Sequence, residues 1–310
     1  MIFQKTIFIL FLILLVIPRE VNSEVEIYKK KIDDKIKLNY LNKFKSKISN
    51  LSPLTEFSFE KIEMNKPEYS IKTLIPLNEN LGDKDINFLQ SSIYRHDGGE
   101  RHTFNFGYGY RRLLNDKKQL IGTNFFYDNE FPYNHQQIGI GLELKNSVLD
   151  FNSNYYKPIT KWKTGQNSKL ERAMKGRSFE LGGQVPYIPT AKIFLKNSKR
   201  NSIDQSNDLK VKTMSLFIEN FIFNGIDFEA GYNDKKNRED THFIKLNYKI
   251  NSNKFERNKS EFVSKNAFSL ENIEYRKYEK VRRENKIIKQ VKNPITVSCD
   301  GLCFKIKGTL

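Results

Sequence analysis

The chain has 310 residues, with 53 Lys and Arg against 36 Asp and Glu, a formal charge of +17 and a hydrophobic fraction of 38%. Its mean hydropathy of −0.62 and the lack of any apolar run near ~20 residues after position 23 exclude a helical membrane protein. The basic balance points to anionic partners such as lipopolysaccharide, but the cations form no stripe interleaved with aromatics, so a nucleic-acid role is set aside.

At the N-terminus, Lys5 precedes an apolar run from Ile7 to Ile17, followed by Pro18, Arg19 and the small-residue site Val21-Asn22-Ser23. This has the form of a secretory signal peptide cleaved between Ser23 and Glu24. An uncleaved anchor is the alternative, although the run is short of the ~20 residues that span a bilayer. No Cys near the site suggests a lipid anchor. The exported chain is therefore either soluble or a membrane β-barrel. Between Asp33 and Ile48, Ile36, Leu38, Leu41, Phe44 and Ile48 recur at near-helical spacing and predict a short amphipathic helix in the periplasm.

Strands are predicted near 54–62, 69–77, 86–95, 102–112, 119–128, 136–146, 148–157, 177–186, 190–198, 209–220, 225–233 and 240–250, an even number as single-chain bacterial barrels require. In the fourth, Phe104, Phe106, Tyr108 and Tyr110 share one face, and Thr103, Asn105, Gly107, Gly109 and Arg111 share the other. The sixth sets Ile138, Ile140, Leu142 and Leu144 against Gln137, Gly139, Gly141, Glu143 and Lys145. The seventh sets Leu149, Phe151, Ser153 and Tyr155 against Asp150, Asn152, Asn154 and Tyr156. A soluble sandwich alternates in the same way. Strands of ~10 residues with aromatics near their ends and a polar second face fit lipid outside and water inside. With a periplasmic N-terminus, the tight connections Asn146-Ser147 and Tyr187-Ile188-Pro189 fall on the periplasmic side. The longer ones, 128–135, 157–177 and 199–207, fall outside, while 78–85 is longer than that rule expects. The glycines of the lumen face make room for a linker or let strands curve.

The runs Asn105-Phe-Gly-Tyr-Gly-Tyr-Arg111, Leu120-Ile-Gly-Thr-Asn-Phe-Phe-Tyr-Asp128 and Gln137-Ile-Gly-Ile-Gly-Leu-Glu143 together resemble the translocator barrel of the intimin/invasin inverse autotransporters. So do Asn154-Tyr-Tyr-Lys-Pro158 with Trp162-Lys163, then Glu171-Arg172 and Gly176, and Gly183-Gln-Val-Pro-Tyr-Ile-Pro189. Past the strands, Arg283, Asn285 and Ile287 alternate as in that family's linker motif. The resemblance runs from about Leu54 to Ile288. It implies an all-β fold, a twelve-stranded antiparallel outer-membrane β-barrel with a linker returning through the pore, and it implies assembly by periplasmic chaperones and the barrel-assembly machinery. The last strand, with Ile244, Leu246, Tyr248 and Ile250 alternating outward, resembles the insertion signal of such barrels, carried by Leu246, Tyr248 and Ile250.

The chain then divides into a signal peptide (1–23), a short periplasmic helical segment (24–50), the barrel (51–250), a pore linker (251–291) and a tail (292–310). In a polar lumen the Lys/Glu-rich linker needs charge partners, for which Glu143, Glu180, Asp227 and Glu229 are candidates. A solvated periplasmic tail is the alternative. The family's passengers are long adhesive arrays. The residues expected in their place read as one hairpin, Ile295–Cys299 and Leu302–Ile306 about Asp300-Gly301, a vestigial passenger whose surface ligand is unknown. Cys299 and Cys303, the only cysteines, are a candidate disulfide in an exported chain, with free thiols as the alternative. No metal site or cofactor is expected, since a zinc site needs further ligands near the cysteines.

The four histidines, His96, His102, His135 and His242, have no nucleophile or acid pattern beside them, so no enzyme is expected. Three readings remain: a translocator of the inverse autotransporter type, a stand-alone structural or pore-forming barrel plugged by its linker, and a secreted β-protein that binds anionic surfaces.

Overall fold

Alternation at period two yields twelve long strands whose ladder closes on itself, each antiparallel to its neighbours. In chain order these are β1 (Thr55–Ile62), β2 (Glu68–Pro76), β3 (Asp85–His96), β4 (Arg101–Leu114), β5 (Gln119–Phe131), β6 (His135–Asn146) and β7 (Leu149–Pro158). After two short strands, β8 (Lys163–Thr164) and β9 (Leu170–Ala173), the wall resumes. It continues through β10 (Lys175–Val185), β11 (Ile188–Asn201), β12 (Leu209–Ile218), β13 (Ile226–Lys235) and β14 (Thr241–Lys249), which pairs with β1. A final strand, β15 (Lys289–Lys292), lies outside the wall's ladder. The computed structural model describes residues 54–62, 67–78, 84–203, 208–221, 225–236, 238–250 and 263–292. The Ser23–Glu24 junction, the helix expected within 24–50 and the Cys299–Cys303 pair lie outside the described residues.

The expected strands match the observed ones to within three residues at every end. Burial is inverted relative to a soluble protein. Phe104, Phe106, Ile140, Leu142, Leu181 and Leu195 are exposed on the outer face, whereas Asn105, Arg111, Asp128, Gln137 and Glu143 on the inner face are no more than 1% exposed. An apolar exterior around a buried polar interior is what lipid outside and a hydrated lumen require. It excludes the soluble sandwich, in which apolar side chains would form the core. No helix among the described residues is long and apolar enough to cross a membrane.

The last strand shows one departure. Ile244 and Tyr248 face outward and are exposed, but Ile250 lies past the end of β14 and is buried, its N–H donating to Thr55 O at 2.9 Å. Alternation holds only while a residue is in the ladder, and Ile250 has left it.

The connection between β7 and β10, expected as a polar loop, instead folds into the hairpin β8–β9. Strand β15 adds to the β9 edge, giving a three-stranded sheet in the order β15-β9-β8. We call the end where β1 begins the near mouth and the end bearing this sheet the far mouth.

Candidate functional site

Residues 263–292 turn back at the near mouth and run through the lumen to the far mouth. At the near mouth Ser264 N donates to Tyr187 O at 2.8 Å, Ser147 Oγ to Ser269 O at 2.6 Å and Ile273 N to Lys117 O at 2.8 Å. Ile273 is fully buried against Leu113 and Leu120. A 3₁₀ turn over Glu274–Tyr278 then swings Arg276 onto Asp150, with both nitrogen–oxygen contacts at 2.7 Å. Arg111 reaches from β4 to donate to the carbonyls of Lys277 at 2.6 Å and Glu279 at 2.7 Å.

The linker's central residues point to alternate walls, as extended backbone demands. Arg282 donates to Glu180 on β10 at 2.7 Å and Glu229 on β13 at 3.0 Å, and its guanidinium lies 3.8 Å from the Phe194 ring centroid. Arg283 faces the other way, donating to both oxygens of Asp128 on β5 at 2.8 and 2.6 Å. Its guanidinium stacks 4.2 Å from the Phe126 ring centroid. Both side chains of this pair are no more than 1% exposed. Bidentate geometry with an aromatic face below the guanidinium is the arrangement that suits arginine and not lysine. Further along, Asn105 donates to Asn285 O at 3.0 Å, Lys286 reaches Glu68 at 3.1 Å, and Lys289 reaches Glu130 at 2.6 Å.

The lumen glycines have a specific task here. A Cβ at Gly107 would come within 2.4 Å of the Phe126 ring, and one at Gly109 within 2.2 Å of the Phe88 ring. These rings therefore lie flat on the wall, and their free faces carry Arg283 and Arg111. Gly139 makes room for the linker directly, its Cβ position lying 3.1 Å from Arg283 Nη2.

Of the acids expected to meet the linker, Glu180 and Glu229 do so through Arg282. Asp227 instead pairs with Lys249, and Glu143 with Arg111 and Lys145, all three partners being on the wall. Asp128, Asp150, Glu68 and Glu130 are the partners that sequence reasoning missed. They lie between 126 and 218 residues from their linker cations, so no local pattern marks them. In the linker motif, Arg283 holds Asp128, the main chain of Asn285 accepts from Asn105, and Ile287 is 2% exposed.

The far mouth holds a denser network. Arg101 bridges Glu130 at 2.6 Å and Glu171 at 2.7 Å, and His135 Nε2 lies 3.2 Å from Glu171. Donor atoms of Glu130, His135 and Glu171 lie within 4.8 Å of one another, a metal-like spacing. Arg101 and Lys289 already satisfy those carboxylates, so protein cations supply the charge a metal would bring. His96 sits 2.9 Å from Thr103 Oγ1 and 3.4 Å from Asp97. Thr103 is fully buried, which denies its hydroxyl a substrate. In the far-mouth loop, the His96 imidazole, and then Lys289 and Lys286 from the linker, outweigh partial burial and hold the Asp97 carboxyl down to about 2.

The linker leaves part of the lumen unfilled. A cavity of about 600 Å³ lies between it and the wall, lined among others by Lys196, Thr213, Ser215, Lys245 and Lys249.

Comparison with known proteins agrees with this architecture. A solved chain from work on "the in-meso Crystallization of Membrane Proteins" superposes with a TM-score of 0.61 at 19% identity, covering 77% of this chain and 98% of the other. At that identity the likeness concerns the fold alone. The KdgM porin superposes with a TM-score of 0.43 at 8% identity, covering 63% of this chain and 97% of the porin. The inverse autotransporter adhesin YeeJ of Escherichia coli K12 is 34% identical over 77 residues, which span 25% of this chain and 3% of YeeJ. The profile of the inverse autotransporter β-domain matches residues 19–285. With a closed barrel around a threaded linker and a match over most of its length, this outer-membrane chain belongs to the inverse autotransporter β-domain family.

Proposed function

We propose that the barrel anchors and exports its own C-terminal segment, with the near mouth in the periplasm and the far mouth at the cell surface. The observation carrying this reading is the threaded linker, gripped at the near mouth by Asp150, midway by Asp128 and at the far mouth by Glu130. Cleavage between Ser23 and Glu24 delivers the chain to the periplasm, where chaperones and the barrel-assembly machinery receive it. The relative YeeJ is an adhesin, and by analogy the segment beyond Lys292 serves attachment. No chemistry is assigned to the barrel.

An epitope tag placed after Leu310 tests the direction of threading. Protease added to intact cells is expected to remove the tag while a periplasmic marker stays whole. A tag cleaved only after permeabilisation would leave the segment unexported. The lumen cavity favours a second reading, a barrel plugged by its linker. Conductance in planar bilayers before and after deleting residues 251–310 addresses it, and activity only in the deleted form supports a plug.

Assembly gives a further expectation. Leu246 and Tyr248 present apolar surface on the strand that closes the barrel, with Tyr248 paired to Phe57 on β1 and Ile226 on β13. Tyr248→Asp adds a charge on the lipid face, at a direct cost of up to about 1 kcal/mol near the interface, and disrupts the insertion signal. Folded barrel in the membrane fraction should fall sharply; wild-type amounts by heat-modifiable gel shift would remove this role from Tyr248.

A further inference from the structure

One outward face of the barrel combines two features that the export reading does not use. Toward the far mouth, Arg177 on β10, Lys199 on β11 and Lys210 on β12 lie side by side in one register row. Lys175 lies one step outward along β10, and Lys212 one step inward along β12, opposite Asn197. Lys175, Arg177, Lys210 and Lys212 are exposed, as is Lys157 on the adjoining strand β7. Three carboxylates belong to the same area: Asp208, 3.2 Å from Lys199, Asp234, the register partner of Lys212, and Asp240, which accepts from the Tyr232 hydroxyl. Six cations against three carboxylates leave the face positive. The outward positions at and just beyond this height on the other side, Lys61, Tyr69, Arg95, His102 and Gln136, include one lysine and one arginine on separate strands and no cluster.

Directly on the membrane side of these cations is an apolar groove of about 460 Å³ between Phe151, Phe179, Leu181, Leu195, Met214 and Tyr232. Lys212, Asn197 and Asp234 close its outer end. Cations at the rim of the lipid-facing wall with an apolar slot beneath them match a molecule that has phosphate at its head and hydrocarbon below. From Lys175 to Lys212 the cations extend about 14 Å along the strands at ~3.4 Å per residue, more than one phosphate occupies.

We propose that the β10–β13 face binds a bisphosphorylated glycolipid of the outer leaflet, its phosphates on the Arg177–Lys199–Lys210 row and its neighbours, and one acyl chain in the groove. This rests on the far mouth facing outward, as the export reading has it.

Full-length protein in detergent micelles, titrated with bisphosphorylated lipid A and followed by native mass spectrometry, tests the site. One retained lipid per barrel is expected. The triple variant Arg177→Gln, Lys210→Gln, Lys212→Gln should bind about a hundredfold more weakly, from the ~1 kcal/mol that each basic side chain contributes at an anionic lipid surface. Lys61→Gln with Arg95→Gln, on the opposite side, should bind like wild type. Wild-type protein should also prefer lipid A over its dephosphorylated form, a comparison that needs no variant. Equal binding of the dephosphorylated lipid, or undiminished binding by a heat-modifiable triple variant, would overturn the site. Equal binding of phosphatidylglycerol would overturn the glycolipid assignment. Tag shaving on the same cells reports separately on the orientation, so failure of the export reading is distinguishable.

Discussion

Asp128→Ala is expected to destabilise the barrel by about 3–5 kcal/mol, the range for removing one partner of a buried ion pair. Asp128 accepts from Arg283 at 2.8 and 2.6 Å, from Asn105 at 2.8 Å and from Gln137 at 2.9 Å, all in the interior. The substitution strands a guanidinium and two amides, and their desolvation is then uncompensated. Most of the loss should be recovered in Asp128→Ala with Arg283→Leu, because that pair of changes removes the stranded charge together with its partner. Urea unfolding of barrels refolded into lipid vesicles reads both effects. A single-variant loss below about 1 kcal/mol, the level of an exposed pair, would show that the linker is held elsewhere.

Gly107→Ile should act on the same contact from beneath. Its Cβ would fall 2.4 Å from the Phe126 ring, so the ring must lift, and Arg283 rests on the ring's other face. Overpacking of this kind costs about 1–3 kcal/mol, and the displaced arginine loses its geometry with Asp128. Trypsin should then cut the linker at Arg282 or Arg283 faster than in wild type. Phe126→Ala in the same chain should restore part of the stability by giving the isoleucine its space. If the double variant is less stable than Gly107→Ile alone, the stack of glycine, ring and guanidinium is not the mechanism.

The sequence was most legible where structure is periodic. The alternation of Ile138–Leu144 against Gln137–Lys145 states which side faces lipid, and every barrel strand was visible in this way. The hairpin β8–β9 was not. Lys163–Thr164 and Leu170–Ala173 are too short to alternate, and they depend on β15, which arrives more than a hundred residues later. The lumen pairs divide in the same manner. Glu180 and Glu229 were legible as inward acids that a basic linker could meet. Asp128 and Asp150 are equally inward, but nothing near them in sequence distinguishes an acid that meets the linker from Asp227 or Glu143, which meet their own wall.

Successive linker residues face opposite walls with opposite demands, and this makes the thread self-indexing. Slipping the chain by one residue toward the near mouth would bring Glu284 to Asp128 and set two carboxylates together. It would also turn Arg283 to the Glu180 side and leave Lys286 out of step with Glu68. Each lumen acid thus works like a notch in a ratchet wheel, and the notches agree at one setting only. The linker's register against the far mouth is therefore fixed to the residue, so under the proposed export any displayed segment would start at a constant height above the membrane.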